Sequence, residues 1–234
     1  MLISPSREAF DKVSLDNFRQ IPWRQFWPAA RNSALLLVAV PTFTTIVALA
    51  ISWVVIRSKI KAAGAFDILA FLPHVVPNLI FAVGALLIAL FWLPSFVPLY
   101  GTVMLILIVY VVTRVSFATR VFNSALLQIH TELDEAGLIF GLNPLQVFRR
   151  ILLPLLAPVM AYAWLWMALL TLRELTIAAF LVTRENVTLP VYVWNIWSNG
   201  DLNLSAAASL LLVGIMIPLV AAYFLISQRW LKST

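Results

Sequence analysis

The 234-residue chain has no cysteine, two histidines and seven glycines, and only 11% of its residues are charged. Without cysteine there can be no disulfide, no thiol nucleophile and no cysteine-ligated metal. His74 and His130 are the only imidazoles, too few for a haem, zinc or iron–sulfur centre built within the chain. The low charged fraction excludes a water-soluble globule, where it is about 25%. Also missing are a G-x-S-x-G elbow, a phosphate-cradling glycine loop and paired carboxylates within an apolar run, so no catalytic constellation is legible and no enzyme activity is expected.

What is there is apolar: 62% hydrophobic residues, with 13 prolines and a mean hydropathy of +0.97. The net charge of +6 lies near the ends of apolar runs, which is a topology signal rather than a nucleic-acid footprint. The expected fold is all-α, a polytopic membrane helical bundle with about five transmembrane helices at 34–56, 68–93, 97–113, 151–172 and 204–227. Pro73, His74 and Pro77 should bend or partly unwind the first half of the second span. The third should continue as helix past Arg114 and Arg120 into the cytoplasm. The fourth, at about 33 Å, is long enough to cross.

Residues 1–33 contain no run long enough to span and read as an extramembrane or interfacial arm, followed by a transmembrane domain over 34–234. The arm lacks the features of a cleaved signal peptide. Its Trp23, Phe26 and Trp27, with Arg24 and Arg31, suit the headgroup level. Residues 175–182 are apolar but too short to cross, so they should be re-entrant or pack on the bundle. Trp194 and Trp197 read as interface anchors.

The stretch 131–158, TELDEAGLIFGLNPLQVFRRILLPLLAP, is the one long piece that is both polar and patterned. Thr131 followed by Asp134 is a capping signature for a short helix, and Glu132 and Asp134 should serve its cap and dipole. Gly141 should end that helix. Asn143 and Pro144 should start a second one, as N-cap and first helical residue, with Leu145, Phe148 and Leu152 on one side. Gly137 and Gly141 match a G-x-x-x-G pair, but in a polar loop rather than in lipid, where such pairs drive association.

The spacing Glu135, Ala136, Gly137, then Gly141, then Ile151, Leu153 and Pro154 resembles the EAA loop of permease subunits of type I ABC importers, the inner-membrane components of binding-protein-dependent transport. Six of the seven defined positions of that pattern match in register; Gly137 stands where the pattern has a second alanine. That exchange should loosen the helix by about 1 kcal/mol without adding bulk.

The resemblance implies a coupling loop over 131–154 that docks a cytoplasmic ATPase, through Glu135, Ala136, Gly137, Leu138, Gly141, Leu142, Leu145 and Phe148. It implies a dimer of ATPases that bind the ATP and magnesium, a second permease half, identical or related, and an extracytoplasmic substrate-binding protein. This chain would hold no cofactor or metal of its own and would contact membrane lipid but no nucleic acid. The string 171–181, TLRELTIAAFL, resembles ferric-iron importer permeases and nominates ferric iron as substrate. Glu174, Arg173 and His74 are the substrate-path candidates, each with a structural alternative: snorkelling for the pair, satisfaction of freed carbonyls for His74.

Sidedness follows from loop charge. With the EAA-like loop in the cytoplasm, that side holds Arg57, Lys59, Lys61, Arg114, Arg120, Arg149, Arg150, Arg229 and Lys232, nine basic residues against Arg173 and Arg184 opposite. The C-terminus is then cytoplasmic, in a bacterial inner membrane. Five basic residues in the arm run against this bias, and suggest an upstream span or half. The alternatives are accordingly a truncated half of a fused permease, a passive channel or carrier without an ATPase dock, and an intramembrane hydrolase, for which His74 lacks a partner.

Overall fold

The computed structural model describes residues 16–58, 60–92 and 98–231, with side chains to 225. The readings that involve residues 1–15, Lys59, the span ends at 93 and 97, the Arg229 side chain and Lys232 lie outside the described residues.

The chain is all-helical, with no strand among the described residues. After a single turn, α1 (Asp16–Arg19), come α2 (Trp23–Arg57), α3 (Ala63–Val75) and α4 (Asn78–Leu87), the last prolonged by a π-helical turn, Ile88–Trp92. Next are α5 (Val103–Gln128), α6 (Glu132–Ile139) and α7 (Pro144–Val147), which runs through a second π-helical turn, Phe148–Leu152, into α8 (Leu153–Leu172). The order ends with α9 (Thr176–Leu181), α10 (Leu189–Ser198) and α11 (Leu202–Leu231). Among the described residues, four helical stretches are long and apolar enough to cross a membrane, and α3 with α4 makes a fifth candidate, broken by a 102° bend.

Each expected span has a helix, with informative shifts. The first begins at Trp23 rather than at 34, so the aromatic and basic end of the expected arm is continuous helix with the span. That end packs inward: Phe26 and Ala29 are buried with Tyr192, Ile196 and Ala208 of α10 and α11. The bend of the second span is sharper than a kink, because Pro77 lacks the N–H that would continue the ladder and drives Val76 into extended backbone. The fourth gains its π turn just before Pro154, where a donor is missing.

α5 is the axis. Tyr110, Phe122 and Leu126 along it are at most 1% exposed, the first in a cluster shared with α2, α4 and α9, the others in one shared with α2 and α8. Ser116 of α5 donates to the Ala70 carbonyl at 2.7 Å, and Arg120 pairs with Asp67, so α3 is fastened along the same axis. Arg114, expected among cytoplasmic charges, lies instead within the bundle with a side chain 7% exposed. It therefore leaves the basic tally. A helix that continues past an arginine tells nothing about depth; the opposite charge that meets this one comes from sixty residues downstream in Glu174.

Candidate functional site

The 131–154 loop folds as two short helices back to back. Gly141, at φ +82°, sits in the left-handed region that glycine adopts without a Cβ penalty. Around it the Leu142 N–H reaches the Gly137 carbonyl at 3.1 Å and the Gly141 N–H reaches Leu138 at 3.0 Å, the paired bonds of a Schellman end. Asn143 then opens α7 in a reciprocal capping box: its side chain accepts from the Gln146 N–H at 2.8 Å while the Gln146 side chain accepts from the Asn143 N–H at 2.9 Å. The stop and the restart are therefore both fixed by hydrogen bonds, and the hairpin is rigid.

Gly137 is the contact point between the two arms. A Cβ there would come within 2.9 Å of Val147 Cγ2 and 3.0 Å of Ile151 Cδ1. The departure from alanine thus matches a tightly closed hairpin, and an added methyl group would be felt here.

The expected cap at Thr131 is not made: its backbone is helical and its side chain forms no cap bond. Asp134 turns away to Arg57 at the end of α2, with Nε and Oδ2 3.3 Å apart. A buried guanidinium outcompetes a backbone N–H for the carboxylate, since the charged pair gains more where water is scarce. Arg57 also donates to the carbonyls of Leu126 and Ile129 at 3.0 and 2.6 Å. The expected common face of Leu145, Phe148 and Leu152 is divided as well. Leu145 is 68% exposed, Phe148 lies on Trp53, and Leu152 is buried. The π turn between them adds a residue to the repeat and rotates the later side chains inward.

Among the predicted dock residues, Glu135, Ala136, Leu138, Gly141 and Leu145 are exposed, Leu142 and Phe148 are half-buried, and Gly137 is buried. Sequence reasoning passed over Phe140, although Ile139 and Phe140 are the most exposed large apolar side chains of the loop, at 84% and 86%. An aromatic at the C-cap before a left-handed glycine points off the helix end, and that was the available signal. Beside the patch, Leu145, Gln146, Arg149 and Arg150 line a hollow of about 380 Å³.

The substrate-path candidates are not brought together. Arg173 is exposed, while Glu174 turns in, 15% exposed, with Oε2 3.7 Å from Arg114. Asn78 at the start of α4 donates to the same oxygen at 3.4 Å. Arg114 stacks over the Tyr110 ring, donates to the Leu170 carbonyl, and Tyr110 donates to the Glu174 carbonyl at 3.1 Å. Glu174 is thus held by Arg114 and Asn78 rather than extended outward. His74 is exposed beside Phe71, next to the α3–α4 break. No cluster of three or more His, Asp or Glu side chains suited to a metal ion occurs among the described residues.

Residues 28–232 match the family described as binding-protein-dependent transport system inner membrane component. The Fe(3+)-transport system permease protein FbpB 2 of Haemophilus influenzae is 27% identical over 202 residues, covering 85% of this chain and 39% of that protein. The putrescine transport system permease protein PotI of Escherichia coli K12 is 26% identical, over 73% of this chain and 61% of that one. The chain thus spans about two fifths and three fifths of these relatives' lengths. In fold it is similar to a chain of a bacterial alginate ABC transporter, with TM-score 0.72, 18% identity and 90% and 81% of the two chains covered. The MetNI methionine ABC transporter gives TM-score 0.69 at 18% identity, with 92% and 99% covered. With nearly its whole described length matched, the chain belongs to the family of binding-protein-dependent transport system inner membrane components.

Proposed function

We propose that this chain is the permease subunit of an ATP-driven importer, forming half of a substrate path and docking a separate cytoplasmic ATPase through the 131–154 hairpin. The observation that carries the reading is a rigid hairpin that holds Leu138, Ile139, Phe140 and Leu145 out of the bundle. Exposed apolar side chains on a doubly capped, hydrogen-bonded support favour a protein partner that buries them. Glu135, exposed on α6, would meet basic groups at the rim of that contact. Exposed Arg149 and Arg150 in the hairpin, and exposed Lys61 just after α2, support its assignment to the cytoplasm of a bacterial inner membrane.

The remaining partners follow from the same reading: a second half, identical or related, and an external binding protein. ATP and magnesium would be held by the ATPase. For substrate, ferric iron is the first to test, on the strength of residues 171–181; relatives at similar identity carry names for putrescine and diacetylchitobiose uptake.

The test is to tag the chain in its native membranes, purify it mildly and measure ATP hydrolysis in the eluate. The wild type should bring down an ATP-hydrolysing subunit, and Glu135→Lys or Ile139→Asp should lose it. A folded, abundant wild-type chain that brings none would overturn the dock and leave the passive channel or carrier as the better reading.

A further inference from the structure

A docked knob moves a helix bundle only through a stiff connection. Between α5 and α6 the backbone offers three residues, Ile129, His130 and Thr131, outside either helix, a poor lever by itself. The side chain of Arg57 bridges that gap. It is the last residue of α2 and 7% exposed. Its Nη2 donates to the Leu126 and Ile129 carbonyls, at the C-terminal end of α5 where carbonyls lose their helical partners. Its Nε faces Asp134 in the first turn of α6, itself 21% exposed. One planar group therefore joins three elements, by two hydrogen bonds from Nη2 and an ion pair at Nε, a geometry that a flexible point charge such as lysine would not reproduce.

We propose that Arg57 is a positioning residue that makes the docking hairpin, the end of α2 and the end of α5 move as one body, through its pair with Asp134. This rests on the docking function proposed above. The patch of Leu138, Ile139, Phe140 and Leu145 does not include the pair, so breaking the pair should spare partner binding and uncouple the motion.

The experiment uses the complex purified from native membranes. Because this chain has no cysteine of its own, spin labels can be placed at Glu132→Cys on α6 and Val38→Cys on α2, both exposed, and single-label complexes identify any signal that arises from the other subunits or a second copy. In the wild-type background the distance should be the same without nucleotide and with ATP plus vanadate. In Asp134→Ala the nucleotide-free distance should stay at the wild-type value, while with ATP plus vanadate it shifts or its distribution widens by about twofold, since the two elements then respond separately. Copurified ATPase should remain within about twofold of wild type, and Asp134→Glu should behave as wild type. A distance in Asp134→Ala that ignores nucleotide, with ATPase bound, overturns the inference alone, as does a variant that sheds the ATPase, which would put Asp134 in the dock itself. A wild type that holds no ATPase overturns the docking reading, and the inference with it.

Discussion

Two short helices off the long ones, α6 and α9, treat their apolar residues in opposite ways. On α6 and its cap, Ile139 and Phe140 stand more than 80% exposed; on α9, Ile177 and Leu181 are 0% exposed. Neither sequence is long enough to span, and α6 carries three acidic residues in its first turn where α9 has none. The difference lies in the charges that flank each. Glu174, before α9, finds Arg114 and Asn78 inside the bundle and accepts from the Ile177 N–H at 3.4 Å, so the segment is pulled in as a buried wedge. Asp134, on α6, finds Arg57 at the bundle's rim and fixes the helix there while the rest of it faces away. In both places an ion pair fixes where the short segment sits.

That contrast yields an order of sensitivities. The largest effect should come from Glu174→Gln, which leaves Arg114 buried without its counter-charge: a loss of about 3–5 kcal/mol is expected, seen as a lowered thermal unfolding midpoint in detergent. If the midpoint barely moves, α9 is held by packing rather than charge. Gly137→Ala should cost less, about 1 kcal/mol net, as the clash with Val147 and Ile151 exceeds the gain in helix propensity. The same melt would detect it, and a stabilised variant would mean that the hairpin relaxes easily. Smallest in stability is Phe140→Ser, within about 0.5 kcal/mol of wild type because the ring touches little. Its copurified ATPase should nevertheless fall sharply, which would mark the surface helix as functional where the buried one is structural.

Much of this was legible in the residues. Apolar runs of bilayer length located the helices, Gly141 and Asn143–Pro144 located the hairpin, and the spacing of 135–154 pointed to the family. What escaped was whatever depends on pairing across the fold. Arg114 looked like a loop charge because a sequence shows an arginine after an apolar run but not the carboxylate that meets it. Asp134 looked like a cap because capping is local, whereas its partner Arg57 is remote in sequence. Leu145, Phe148 and Leu152 were put on one face because a 3.6-residue repeat was assumed through a turn that Pro154 widens. The break at Val76 was foreseen from its prolines, but not its 102°, because α3 packs on α5 while α4 packs mainly on α9, a segment remote in sequence.

The last helix has its own implication for how such a chain is made. The most apolar 18-residue stretch of α11 has a mean hydropathy of 2.4, yet only 6% of it is buried by the rest of the chain. It thus has the makings of an autonomous insertion unit, stable in lipid as soon as it leaves the translocation machinery and before any neighbour is in place. What orients it afterwards is sparse and specific, chiefly the Tyr223 hydroxyl donating to Tyr162 at 2.6 Å on α8 and the apolar seam with α10. Partitioning into lipid and lateral docking are thus separable for this helix, the first resting on its own composition and the second on a few contacts with its neighbours.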